Sequence, residues 1–210
     1  RFVSHVTGFA TLFGVDLVSR PFEAAAGILS VPVFFLIGAF IAGLLIDRPI
    51  QKGLQGHFDY VMGLSALCLI AATGLGEFSQ FGVFGETIRL KQVYILLALL
   101  CMACGLQNGA ITSSSGSSIR TTHLTGLTTD LGLGIARILT LESTDKRFRR
   151  EAVANRLRAG SILSFVIGSA IGAWLFFKLG YRGFAVPAMI DLYAAWKGRS
   201  EKRAAHRAGI

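Results

Sequence analysis

The sequence predicts an all-α protein, a polytopic bundle of transmembrane helices built from two related halves that each carry a short Thr/Gly helix. Three observations predict it. Hydrophobic residues make up 52% of the 210 residues and charged residues only 16%, against about 25% charged in soluble domains. Several long runs carry no charge at all, and a spanning helix needs roughly 20 such residues to cross about 30 Å of hydrocarbon. Finally, a short phrase occurs twice. His5-Val6-Thr7-Gly8-Phe9-Ala10-Thr11-Leu12-Phe13-Gly14 and His123-Leu124-Thr125-Gly126-Leu127-Thr128-Thr129-Asp130-Leu131-Gly132 share His, Thr, Gly, Thr and Gly at one spacing, 118 positions apart. A shift that large is no solenoid period and points to a duplicated half.

The elements follow in order. Ser4 to Val18 is the first Thr/Gly helix. Ala24 to Ile46 holds no charge and is a full span. Tyr60 to Gly76 is a shorter apolar run. Gln92 to Ile111 opens a second uncharged run and ends in Gln107-Asn108-Gly109, followed by a flexible Ser/Gly connector. Thr121 to Leu139 is the second Thr/Gly helix. Asp145 to Arg158, with sparse apolar positions among cations, reads as an interfacial amphipathic helix. Ala159 to Phe177 is another span, and after a tight turn at Lys178 to Arg182 the chain returns through Gly183 to Trp196. Trp196 sits where an aromatic anchor meets the membrane surface.

The duplication extends past the opening phrase. Ile37-Gly38-Ala39-Phe40-Ile41-Ala42-Gly43 matches Ile167-Gly168-Ser169-Ala170-Ile171-Gly172-Ala173 at a shift of 130. The second half therefore carries about a dozen extra residues, and the basic stretch 142–158 is the obvious insertion. The expected organisation is a first membrane repeat over 1–80, a second over 89–197, and a basic tail over 198–210. The pairs Gly38/Ala42 and Gly168/Gly172 are small-xxx-small patterns that read as helix-packing seams. The chain begins with Arg1 inside a motif, and by symmetry a helix is expected before it. Full crossing by the Thr/Gly helices gives parallel halves; half-crossing gives inverted halves, a transporter arrangement. Loop charges do not decide between them.

The formal net charge is +9. Residues 137–158 and the tail from Lys197 each contribute a net +4. Cations collect in cytoplasmic loops, so both segments and the C-terminus are expected inside, facing anionic lipid headgroups rather than nucleic acid. Cys68, Cys101 and Cys104 all fall in apolar runs. The CxxC they contain has no second pair and no His beside it, so no metal or redox site is expected. No nucleophile elbow, zinc-protease helix or phosphate loop is present, and neither an enzyme nor a cofactor is expected.

Polar groups at membrane depth are costly and mark function. The candidate substrate-binding set is Thr7, Gly8, Thr11, Gln107, Asn108, His123, Thr125, Gly126, Thr129 and Asp130. Helix starts offer free N–H groups to an anion, and two such starts facing one point form a site. His5 and His123 would titrate near neutral pH at its edge. The bland alternative is equally physical: threonine hydroxyls bond back to their own helix, and glycine serves packing.

Gly105-Leu106-Gln107-Asn108-Gly109-Ala110, then Thr121-Thr122-His123-Leu124-Thr125-Gly126, then Gly132 and the Gly168/Gly172 helix, resemble the YoaK family of small multi-pass bacterial membrane proteins, classed under a domain of unknown function. The likeness covers essentially the whole chain, with the family's first helix absent. It implies a bacterial cytoplasmic-membrane location and brings no substrate. Two functions are therefore carried forward: a small-solute transporter or channel using the duplicated Thr-Gly half-helices, or a non-catalytic accessory or assembly subunit held by a membrane-protein partner or a second copy.

Overall fold

A computed structural model of the chain describes residues 6–19, 22–78, 81, 90–114 and 124–207. Among these, every regular element is helical. The helices are α1 (Val6–Ser19), α2 (Phe22–Leu45), α3 (Asp47–Gln51), α4 (Phe58–Glu77), α5 (Leu90–Ser114), α6 (Leu124–Thr140), α7 (Lys146–Leu179) and α8 (Ala185–Arg207), with a 3-10 turn at Gly180–Phe184 between the last two. Among the described residues, four segments are long and apolar enough to cross a membrane: Val31–Gln51, Phe58–Glu77, Tyr94–Ser114 and one within Lys146–Ala204.

A backbone-to-backbone seam joins α2 to α5. A Cβ added at Gly38 would lie 2.3 Å from the Met102 carbonyl oxygen, and one at Gly105 would lie 2.2 Å from the Phe35 carbonyl oxygen. Gly109 faces Ala42, where an added Cβ would stand 2.5 Å away. Backbone meets backbone with no side chain between, the close approach that small residues permit in a membrane. Val31 packs with Leu97 and Cys101, and Ala42 and Ile46 pack with Leu106 and Ala110. Residue numbers thus rise together along both helices, and the seam is parallel. The expected packing role of Gly38 and Ala42 is borne out. Gly168 and Gly172, by contrast, have nothing within 4 Å of an added Cβ, so among the described residues that pair forms no seam.

α4 lies across α5 in the opposite direction. Val61 meets Leu106 and Ala110, while Cys68 and Leu69 meet Ala103. α8 then runs antiparallel along α4, tied at both ends. Arg182 Nε donates to Glu77 Oε2 at 2.7 Å, and at the other end Lys202 Nζ donates to Asp59 Oδ1 at 2.5 Å. The 3-10 turn is docked by its own aromatic: the Tyr181 ring covers Gly76 so closely that an added Cβ there would stand 2.2 Å from it.

Two expectations about the C-terminal region need correction. The amphipathic stretch 145–158 and the span 159–177 are not separate helices; α7 is continuous over 34 residues. No proline interrupts it, and Gly160 is accommodated inside. Its start is capped by Asp145, whose side chain accepts a hydrogen bond from the Arg147 backbone N–H at 2.8 Å. Likewise the basic tail is not a separate element, because α8 continues to Arg207. α6 packs antiparallel on the first part of α7, where Gly134 sits against Asn155 and Arg158 and Arg137 pairs with Glu151 at 3.5 Å. The short α3 after α2 was not anticipated.

Gly105→Leu is expected to destabilise the protein by about 1–3 kcal/mol or more through overpacking, whereas Gly168→Leu is expected to leave stability within about 0.5 kcal/mol. Unfolding of the two variants in mixed detergent micelles compares them directly. A second expectation concerns pH. The Arg147 backbone N–H, then the Arg147 guanidinium, hold the Asp145 carboxyl below its ordinary range. A depressed carboxyl stabilises the folded state above its ordinary pKa and loses that contribution as pH falls through the lowered value. Amide exchange in the first turn of α7 should therefore accelerate on acidification, and Asp145→Ala should abolish that pH dependence.

Candidate functional site

Three helices bring one carboxylate out of reach of solvent. Asp191, on α8, is 4% exposed, and Ser65, on α4, is wholly buried. Ser65 Oγ donates to Asp191 Oδ2 at 2.6 Å. Gln107 Nε2, from α5, donates to the same oxygen at 2.8 Å and to Ser65 Oγ at 3.1 Å. Among the described residues, Asp191 has no cationic partner; the ion pairs of α4 and α8 lie at their ends, Arg182 with Glu77 and Lys202 with Asp59. Ser65 stands six residues from Asp59 and twelve from Glu77. At 1.5 Å per residue, that is about 9 Å from one end of α4 and about 18 Å from the other. Since α4 is long and apolar enough to span, the carboxylate lies at membrane depth.

Each helix supplies its residue for a local reason. Ser65 falls on the buried stripe Val61, Ser65, Cys68, Leu69, Ala72 of α4, at helical spacing. Gln107 stands one turn beyond Ala103, whose carbonyl lies 3.5 Å from Ser65 Oγ. Asp191 follows Ala188, which packs on Cys68 and Leu69, so the same face of α8 carries both.

Two open clefts lie along these helices. One, of about 420 Å³, lies between α4 and α8 and is lined by Asp59, Tyr60, Gly63, Leu64, Ala195, Trp196 and Arg199. Two of its lining residues neighbour the cluster along their helices, Leu64 directly before Ser65 and Ala195 one turn after Asp191. The other, of about 300 Å³, lies between α2 and α5, and its polar lining is Asp47, Asn108, Thr112 and Ser113.

Among the described residues, the candidates read from sequence are not gathered at one point. Gln107 joins the buried cluster. Its neighbour Asn108, also buried, faces the opposite cleft. Gly8 is half-buried and Thr11 exposed on α1, which packs on α2. Thr125, Gly126, Thr129 and Asp130 are all exposed on α6, which packs on α7. Thr129 Oγ1 donates back to the Thr125 carbonyl at 2.9 Å, the self-satisfied arrangement that was the bland alternative. His5, His123 and the Thr7 side chain lie outside the described residues. Sequence reasoning missed Asp191 and Ser65. The available signal was Asp191 itself, the one charge between Gly183 and Trp196.

Removing a donor from this cluster exposes its cost. Ser65→Ala leaves Asp191 with one fewer hydrogen bond in a dry setting, and a loss of about 1–3 kcal/mol is expected. Ser65→Thr, which keeps the hydroxyl, should lose less, and denaturant unfolding in micelles tells the two apart.

Comparison with known proteins agrees with the helical membrane architecture. The chain is 24% identical over 172 residues to the UPF0700 transmembrane protein YoaK of Bacillus subtilis (strain 168), an alignment covering 82% of this chain and 71% of that protein. Among solved structures no significant match is found. Residues 1–196 match the family model described as protein of unknown function (DUF1275). This integral membrane protein therefore belongs to the DUF1275 family.

Proposed function

We propose that the protein is a small-solute transporter or channel of the bacterial cytoplasmic membrane. The observation that carries this reading is Asp191, a carboxylate at membrane depth with neutral hydrogen-bond donors and, among the described residues, no counter-cation. Ionisable groups in such positions mark ion and substrate pathways. The cleft between α2 and α5, with Asn108 and Asp47 on its walls, supplies a second polar surface for a solute. The antiparallel pairing of α4 with α8 supports inverted rather than parallel halves, because these are the closing helices of the two proposed repeats. On this reading the site centres on Asp191 and Gln107, and Thr125 and Gly126 lie away from it.

The cationic segments support an orientation with the C-terminus in the cytoplasm. Arg149, Arg150 and Arg156 stand exposed on α7, and among the described residues none has a carboxylate partner, so anionic headgroups are their natural counter-charge.

A second reading, the accessory subunit, is favoured by one observation. The apolar part of α7 is bare: Val166, Ile167, Ile171, Trp174 and Phe177 are each at least half exposed, and the open glycines beside them would admit a partner helix.

Purified protein in proteoliposomes should move one class within a panel of radiolabelled amino acids, sugars and inorganic ions. Asp191→Asn is expected to lower that flux at least tenfold, with Thr125→Val within about twofold of wild type. Flux equal in wild type, Asp191→Asn and empty vesicles for the whole panel sinks the transport reading. A stoichiometric membrane partner in a native pull-down would then favour the accessory subunit.

A further inference from the structure

We infer that Asp191 is a proton-binding site, loaded and unloaded from the cleft between α4 and α8. The inference deepens the transport reading, on which its use in coupling rests, but the binding itself stands on local geometry. An ionised carboxylate in a low-dielectric interior is strongly disfavoured unless its charge is balanced. Here the described surroundings are neutral. α4 presents the Ser65 hydroxyl and, beside Ala188, the Cys68 thiol. α5 presents the Gln107 amide and the Cys104 thiol, which lies within electrostatic reach of Asp191. On α8 itself the cations Lys197, Arg199 and Lys202 come only in the following turns, and Lys202 is engaged with Asp59. The 3-10 turn contributes Tyr181 and Arg182, with Arg182 engaged by Glu77.

The pattern of donors leaves one carboxylate oxygen for the cation that completes the site. Ser65 Oγ and Gln107 Nε2 both donate to Oδ2. That oxygen thereby has two hydrogen bonds, the full capacity of a carbonyl oxygen. Among the described residues Oδ1 receives no donor, so it is the oxygen left to take a proton. A hard metal ion would need several oxygen ligands, and Ser65 and Gln107 instead point hydrogens at the carboxylate. Turning the Gln107 amide over would set its oxygen against Oδ2, so the carboxylate holds the donor orientation in place.

The path follows from the cleft. Its walls run from Asp59 and Arg199 at the basic end to Leu64 and Ala195, next to Ser65 and one turn from Asp191. A hydronium ion arriving there gives its proton to Oδ1 and leaves as water; the carboxylate loses its charge and no other bond changes. Release reverses the step to a water in the cleft.

Infrared difference spectroscopy on the full chain in lipid nanodiscs, taken from mildly acidic to mildly alkaline buffer, tests this without any solute. A protonated-carboxyl band that bleaches as pH rises is expected in wild type and lost in Asp191→Asn. In Gln107→Leu, which keeps the carboxyl but removes one donor from Oδ2, the band should shift to higher frequency. A wild-type band unchanged by Asp191→Asn overturns the inference. If that variant does not fold, an unshifted band in Gln107→Leu overturns it instead. A bleaching Asp191 band with no flux in proteoliposomes refutes the transport reading alone, whereas flux with a pH-insensitive carboxyl refutes this inference alone.

Discussion

The parallel contact between α2 and α5 is the constraint on which the remaining arrangement depends. Lipid tails are as apolar as leucine, so apolar side chains gain nothing by leaving them for one another. What holds two helices together there is close packing, and close packing needs side chains out of the way. Gly38, Gly105 and Gly109 remove them where the two backbones meet. Once α5 is seated against α2, its other face is fixed. Ala103, Leu106 and Gln107 then present the surface on which α4 lies, and the register of α4 in turn sets that of α8.

Along α4 and α8 the logic changes from shape to polarity. Of the two end pairs, Glu77 with Arg182 is exposed and contributes little energy, while Asp59 with Lys202 is largely shielded from water. Their effect is on alignment, because sliding α8 by one turn separates both. The middle contact has the opposite character. Ser65, Gln107 and Asp191 are costly to bury singly and are tolerable only together. The ends therefore position the helices in the register that lets the centre be satisfied.

Much of this architecture is legible in the sequence, and the exceptions have physical causes. The long uncharged runs identify α2 and α5, because length and apolarity alone define a spanning helix. The packing role of Gly38 is readable from its spacing to Ala42, yet the same spacing at Gly168 and Gly172 finds no partner among the described residues. A small-xxx-small pair states that a helix can be approached closely, and the approaching helix is a tertiary fact. The continuity of α7 is missed because composition changes sharply near Arg158. Helix termination depends on caps and breakers rather than polarity, and between Asp145 and Gly180 nothing stops the backbone. Gln107 is singled out as a polar residue at depth. Its significance depends on Ser65 and Asp191, which lie 42 and 84 positions away, and no local pattern links them. The repeated Thr-Gly phrase draws notice because it recurs, while the buried cluster contains no repeated motif at all.

The parallel seam has a consequence for how the protein is made. Gly38 and Gly105 are separated by sixty-seven positions, and two parallel helices cannot be joined by a tight hairpin. The chain must cross the membrane again, through α4, before α5 can reach α2. During synthesis α2 therefore enters the bilayer well before its partner exists, and its glycine face first meets lipid or the insertion machinery. This backbone-to-backbone contact is thus formed late in biogenesis, and any delay between the emergence of α2 and that of α5 prolongs the period in which a foreign helix can occupy its place.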